Sequence, residues 1–154
     1  ARMQAQRDCL KFLKPAVDRL GGPILEVGLG NGRTYDHLRE LFPSRDIYVF
    51  ERQVAAHPDC IPPDDRLFLG EARDALPRAA GTLGAVAALI HTDLGTGDHA
   101  ANMAMGTWLG PALDALAGPG GYVLANQPLE VARWQRLPEP ASVPKDRYFL
   151  YRVN

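Results

Sequence analysis

The chain has 154 residues, of which 46% are hydrophobic and 23% charged, with a formal net charge of −1. Those proportions suit one globular domain with a core of its own and leave little room for a second. A sequence pI of about 6.5 carries no basic footprint for nucleic acid or an anionic membrane, and no apolar run approaches the roughly 20 residues of a transmembrane helix.

The N-terminal ARMQAQRDCLKFLKP lacks the uninterrupted apolar centre of a signal peptide. Apolar side chains at Met3, Cys9, Leu10, Leu13, Val17 and Leu20 recur mostly in steps of three and four, which predicts an amphipathic helix over 2–20. Gly21-Gly22-Pro23 stops it. A short buried strand is expected over 24–27, then a glycine turn, then a helix over 34–41 closed by Pro43. The β-branched and aromatic run 47–50 reads as a second strand. Residues 53–65 hold three prolines and read as a loop with one helical turn.

A third, short strand is expected over 67–69 and a helix over 71–80, stepped at Pro77. The apolar run 85–90 makes a fourth strand of the kind covered by helices on both faces of a parallel sheet. A long helix follows over 99–117, ended by Gly118-Pro119-Gly120-Gly121 before a fifth strand over 122–125. The segment 131–137 suits a strand or a short helix. An antiparallel hairpin with the final strand, RYFLYRV over 147–153, favours the strand.

Alternating strands and helices give a single α/β domain with an open, mostly parallel, doubly wound sheet and a C-terminal antiparallel hairpin. Within it 1–22 form the N-terminal helix, 23–126 the core and 127–154 the hairpin region. Ligands of such sheets sit at the carboxyl ends of the strands, where strand order reverses.

The glycine turn ILEVGLGNGRTYDHL, 24–38, narrows the ligand. A phosphate-binding P-loop needs Lys-Ser or Lys-Thr after its glycines, but Arg33-Thr34 stands there. The dinucleotide fingerprint GxGxxG needs its third glycine where Arg33 stands, which disfavours a nicotinamide cofactor. The remaining pattern is an acid, one residue and GxGxG: Glu26-Val27-Gly28-Leu29-Gly30-Asn31-Gly32.

In this form the chain resembles the class I S-adenosylmethionine-dependent methyltransferases, a Rossmann-like fold. The likeness continues with Glu51 at the end of the second strand, Gly70-Glu71-Ala72 after the third, Asp93-Leu94-Gly95 after the fourth, and the glycine-rich turn before the fifth. The resemblance implies S-adenosyl-L-methionine as cofactor and S-adenosyl-L-homocysteine as product. It implies a cofactor site drawn from Glu26, Gly28, Gly30, Asn31, Gly32, Glu51, Arg52, Glu71, Ala72, Asp93 and Leu94. The chemistry agrees: one carboxylate accepts both ribose hydroxyls, and backbone N–H groups at a helix start favour the methionine carboxylate.

Structural roles compete with these. Glu26 lies in an apolar strand, where an unpaired carboxylate is costly, and is either an anchor for the glycine loop or a ligand contact. Glu71 also suits a helix N-terminus, and Asp98 a cap. His91 reads as a core histidine. His99 and Asp93 are the candidates for a general base, needed only where the acceptor is protonated. Met103, Met105 and Trp108 read as packing residues, with the lining of an apolar substrate opening as the alternative for some of them, and Trp134, Tyr148 and Tyr151 as core or interface aromatics.

Cys9 and Cys60 have neither CxxC nor His-paired spacing, so no metal site is expected and free thiols in a reducing cytoplasm are. With no chain left for an inserted substrate domain and no Asn-Pro-Pro-Tyr signature, the expected acceptor is a small molecule. Its site is shallow or completed by a second subunit in a homo-oligomer. The competing functions are a non-catalytic cofactor-binding or interaction module and a nicotinamide-dependent oxidoreductase.

Overall fold

The computed structural model of the protein describes residues 2–29, 32–54, 56 and 58–154. Helix α1 (Arg2–Asp18) buries Ala5, Cys9, Leu10, Leu13 and Val17, one stripe at helical spacing, and continues through Pro15. Strand β1 (Ile24–Val27) leads through the glycine loop into α2 (Arg33–Leu41), which buries Tyr35, His37 and Leu38. Then come β2 (Ile47–Glu51), two 3₁₀ turns (Pro58–Cys60 and Asp64–Arg66) and β3 (Leu67–Leu69). Helix α3 (Ala72–Leu83), β4 (Ala87–Thr92), α4 (His99–Asp114), β5 (Ala117–Ala125), β6 (Trp134–Leu137) and β7 (Phe149–Val153) complete the chain.

One seven-stranded sheet results, in the order β3-β2-β1-β4-β5-β7-β6. Strands β1 to β5 are parallel, whereas β7 runs antiparallel to both β5 and β6. Helices cover both faces. Leu25, Val27, Phe50 and Ile90 face Leu76 of α3 and Leu109 and Leu113 of α4 in one apolar cluster. Ile24, Val49 and Leu89 face Leu10, Leu13 and Leu38 of α1 and α2 in the other. Every residue of β1 and β4 is buried, which explains why their sequences show no polar alternation. The chain turns from one half of the sheet to the other between β1 and β4. The crevice beyond their carboxyl ends is therefore the place for a ligand.

The expected hairpin between 131–137 and the last strand is present, pairing Trp134 with Val153 and Leu137 with Leu150. Two local expectations change. Helix α3 runs unbroken through Pro77 to Leu83. Gly118-Pro119-Gly120-Gly121 is no turn before the fifth strand but a bulge inside it. Ala117 already pairs with Ala87, and Tyr122 with Leu89, so two steps along β4 face five along β5. The cause is at the preceding residue, where the Leu116 carbonyl accepts from the Val86 and Ala87 N–H groups and pins the strand early. Register belongs to a pair of strands, so the turn residues alone did not disclose it.

No helix among the described residues is long and apolar enough to cross a membrane.

Candidate cofactor site

Beyond the carboxyl ends of β1, β2 and β3 lies a cleft of about 360 Å³. Gly28, Glu51, Arg52, Glu71, Ala72 and Leu94, all expected from the sequence, line it. Each arrives there because it follows a strand end. Gly28 takes φ +99, and a side chain there would touch Leu94. Its N–H donates to the Phe50 carbonyl, which ties the glycine loop to β2.

Glu51 is the junction of the site. One carboxylate oxygen accepts the Leu29 N–H at 2.8 Å and the other the Arg52 N–H at 2.8 Å. These two bonds orient the Glu51 carboxylate, whose oxygens only accept when ionised and so suit hydroxyl donors. Arg52 Nη1 lies 3.6 Å from Glu71 Oε1, but the two side chains are 74% and 62% exposed. Such a pair contributes at most about 1 kcal/mol, so both are available to a ligand.

A further wall of the cleft comes from residues read chiefly as packing, with an apolar opening as the alternative. Met105 and Trp108 of α4 line the cleft together with Phe50, Arg73 and Thr96. Both also pack on the apolar cluster beneath, so the packing role expected for them is half of what they do. The Arg73 guanidinium sits 5.7 Å from the centre of the Trp108 ring, a cation–π distance. Helix α4 is apolar on most sides, so its sequence does not reveal which residues face a ligand.

Glu26, Gly32, Asp93 and His99 do not line this cleft. Gly32 stands at the start of α2 with φ +86 and caps the helix with no side-chain bond, which leaves the first N–H groups of α2 without a side-chain cap. Gly30 and Asn31 lie outside the described residues. Asp93 is half-buried just past β4, its N–H donating to the Val27 carbonyl. His99 opens α4 on the exposed surface, and Asp98 before it accepts from the Ala101 N–H at 3.1 Å, the cap its sequence position suggests. The loop between β4 and α4 is held from beyond β5. Asn126 exchanges two hydrogen bonds with the Gly95 backbone, and Asn102 two with that of Thr96.

Glu26 lies under the glycine loop, fully buried. Its Oε1 is 2.6 Å from His91 Nδ1, and His91 Nε2 is 3.0 Å from the Gln6 side-chain nitrogen. Glu26 Oε2 is buried and takes no hydrogen bond from the described residues. Burial pushes the Glu26 carboxyl above its usual range; His91 opposes this and the charges of Asp93 and Glu51 add to it. A folded-state value above the unfolded one favours the protonated acid in the folded protein. That stabilisation is complete below the unfolded value and is lost as pH rises through the folded one. Glu26→Gln therefore unfolds at a higher temperature than the unsubstituted, ligand-free protein, by a margin that widens as pH rises. Thermal unfolding of the two proteins across a pH series checks this, and equal curves contradict it.

With this geometry in view, comparison with known proteins is decisive. The family model for S-adenosyl-L-methionine methyltransferase matches residues 1–153. The chain belongs to that family. Among solved structures, an S-adenosyl-L-methionine methyl transferase from Silicibacter pomeroyi DSS-3 is 40% identical. The match covers 98% of this chain and 93% of that one, with a TM-score of 0.93. Similarity of fold alone extends to the antibiotic-resistance methyltransferase Kmr, at 14% identity over 92% of this chain and 90% of that one, with a TM-score of 0.55. It extends likewise to a 16S rRNA (adenine(1408)-N(1))-methyltransferase from Catenulisporales acidiphilia, crystallised with its cosubstrate, at 15% identity. That match covers 94% of this chain and 91% of that one, with a TM-score of 0.53. No curated protein matches the chain.

The methyltransferase thus uses S-adenosylmethionine, and its fold is the class I architecture. The residues in the cleft suit that cofactor: an oriented carboxylate for hydroxyls, and apolar and aromatic walls for a purine. No group of three or more His, Cys, Asp or Glu side chains among the described residues is placed to hold a metal ion.

Proposed function

We propose that the methyltransferase holds the adenosine of its cofactor in the cleft of Gly28, Glu51, Arg52, Glu71, Ala72 and Leu94, and passes the methyl to a small-molecule acceptor. Glu51 carries this reading. Its carboxylate is oriented by two backbone N–H groups at the mouth of a cleft beyond the strand ends. In the same reading Gly30, Asn31 and Gly32 bring the start of α2 towards the methionine carboxylate, and Glu26 and Asp93 face its cationic groups.

When bound, the cofactor supplies an electrophilic methyl group on a sulfonium with a good leaving group. The protein's part is positioning, and well-oriented reactants gain about 7–11 kcal/mol that way. Where the acceptor carries a proton, Asp93 is the better-placed base, because it is half-buried at the end of β4 whereas His99 is exposed at the outer start of α4.

The small-molecule acceptor is supported by a net charge of −1 on a chain of 154 residues, a balance that argues against a nucleic-acid partner. The ribosomal RNA methyltransferase shares the fold and no more at its level of identity. Free thiols at Cys9 and Cys60 support a reducing compartment, the cytoplasm. A second copy completing the acceptor side is part of the proposal, and light scattering that shows a strict monomer removes it.

The acceptor is tested by incubating the protein with methyl-labelled S-adenosylmethionine and a cell extract separated into small molecules, RNA and protein. Label in the small-molecule fraction is expected; label confined to RNA or protein overturns the acceptor class. The adenosine wall has its own test. Trp108→Ala removes the ring that Arg73 overlies and is expected to weaken S-adenosylhomocysteine binding about tenfold, on the scale of about 1–3 kcal/mol for a base stacked on an aromatic ring. Calorimetric titration of both proteins checks it.

A further inference from the structure

Beneath the cofactor loop a buried polar chain joins α1 to the sheet. Thr34 Oγ1 lies 2.6 Å from Gln6 Oε1, an oxygen that only accepts, so the threonine hydroxyl donates. The Gln6 amide nitrogen is thereby turned to His91 Nε2, and an amide nitrogen only donates. His91 Nε2 must present its lone pair. The proton of the neutral ring then sits on Nδ1 and donates to Glu26 Oε1. Both Glu26 and His91 are fully buried, and Gln6 is 2% exposed.

The arrangement has a charge consequence. With Gln6 in this orientation its amide nitrogen faces Nε2, and the ring turns Nδ1 to Glu26. From below, the Glu26 carboxylate is held through Oε1 alone. The other charged groups beside it, Asp93 past β4 and Glu51 at the end of β2, are acids as well. An acid held by one oxygen among acids, with the second buried oxygen accepting nothing from the described residues, is built to receive a cation.

We propose that His91 is a positioning residue for the amino-acid end of the cofactor, holding Glu26 by Oε1 so that Oε2 receives the ammonium, with Gln6 and Thr34 orienting the ring. This rests on the reading that S-adenosylmethionine occupies the cleft. His91 sits on the helix-α1 side of the sheet and touches no ligand in this scheme. It acts through Glu26.

The test compares S-adenosylhomocysteine with 5′-methylthioadenosine, which shares the adenosine and thioether but lacks the amino-acid end. Both are titrated into the full-length protein and its variants, with the unfolding temperature of each variant recorded without ligand. His91→Leu is expected to weaken S-adenosylhomocysteine about tenfold and to leave methylthioadenosine within about twofold. His91→Asn, whose amide can donate from near the Nδ1 position, restores most of the difference. Should His91→Leu not fold, Gln6→Leu carries the test. With Nε2 released the ring is no longer oriented, so Gln6→Leu is expected to weaken S-adenosylhomocysteine by more than methylthioadenosine. A purely structural histidine would alter both ligands alike, and equal changes overturn the proposal while leaving the cofactor site intact. If the unsubstituted protein binds neither ligand, the site reading fails and this inference with it.

Discussion

Glu51→Ala is expected to lower the affinity for S-adenosylhomocysteine about 100-fold, the effect of losing two charge-assisted hydrogen bonds at roughly 1.5 kcal/mol each. The substitution acts twice. It removes the acceptor for the ribose hydroxyls, and it releases the Leu29 N–H, which Glu51 Oε2 holds at 2.8 Å. The second loss loosens the glycine loop against β2, although the bond from the Gly28 N–H to the Phe50 carbonyl remains. Glu51→Gln separates the two contributions, because its amide oxygen still accepts one N–H while its NH₂ group cannot accept a hydroxyl proton. An intermediate loss is expected for it. Titration of all three proteins decides the matter, and a loss of less than about threefold in Glu51→Ala would remove Glu51 from the site.

Gly32→Ala is expected to damage the fold as well as the site. At Gly32 the backbone has φ +86, and an added Cβ would lie 2.4 Å from the Cys60 Cβ and 3.3 Å from the Ala56 Cβ. A left-handed conformation alone costs a non-glycine residue about 1–2 kcal/mol, and overpacking typically adds 1–3 kcal/mol. A destabilisation of about 2–5 kcal/mol follows, measurable by chemical denaturation. The crowding has an identifiable source. The Cys60 thiol donates to Asp36 Oδ2 at 2.8 Å, and Asp36 also pairs with Arg39, so the loop after β2 is drawn down onto the first turn of α2. Cys60→Gly combined with Gly32→Ala relieves the overlap but not the backbone cost, and should restore about half of the loss. A Gly32→Ala protein as stable as its parent would show that the loop and helix do not meet as described.

The contrast between these residues shows what a sequence displays and what it hides. Glu51, Gly28 and Ala72 were legible because each stands at a fixed distance from the end of a strand with a strong apolar or β-branched pattern. The backbone pattern delivers them to one edge of the sheet whatever the rest of the chain does. Trp108 and Met105 read mainly as packing, because α4 is apolar on most sides and the share facing the cleft depends on how it settles against α3. The bulge at Gly118–Gly121 was missed for a similar reason: glycine and proline signal a break, but only the pairing of Ala117 with Ala87 shows that the strand had already begun.

Glu26 illustrates an alternative left open that the structure narrows. Its sequence position suits either an anchor or a ligand contact. Its Oε1 is held by His91, 65 positions along the chain, rather than by a described residue of the glycine loop, and the remaining oxygen is the part a ligand would use. His91 itself reads as a core histidine, and it is one, at 0% exposure. Its neighbours Gln6 and Thr34 come from α1 and α2, and no local pattern links either to a strand so distant in sequence. Polar chains of this kind form only when the helices dock, which is why periodicity finds the helices and not the chain.

The most direct test of the account is a crystal structure of the protein with S-adenosylhomocysteine. The account predicts both ribose hydroxyls within hydrogen-bond distance of the Glu51 carboxylate, the purine between the Glu71–Ala72 turn and the Met105–Trp108 side of α4, and the ammonium beside Glu26 Oε2. A ligand seated elsewhere, or one whose ribose makes no contact with Glu51, would contradict it.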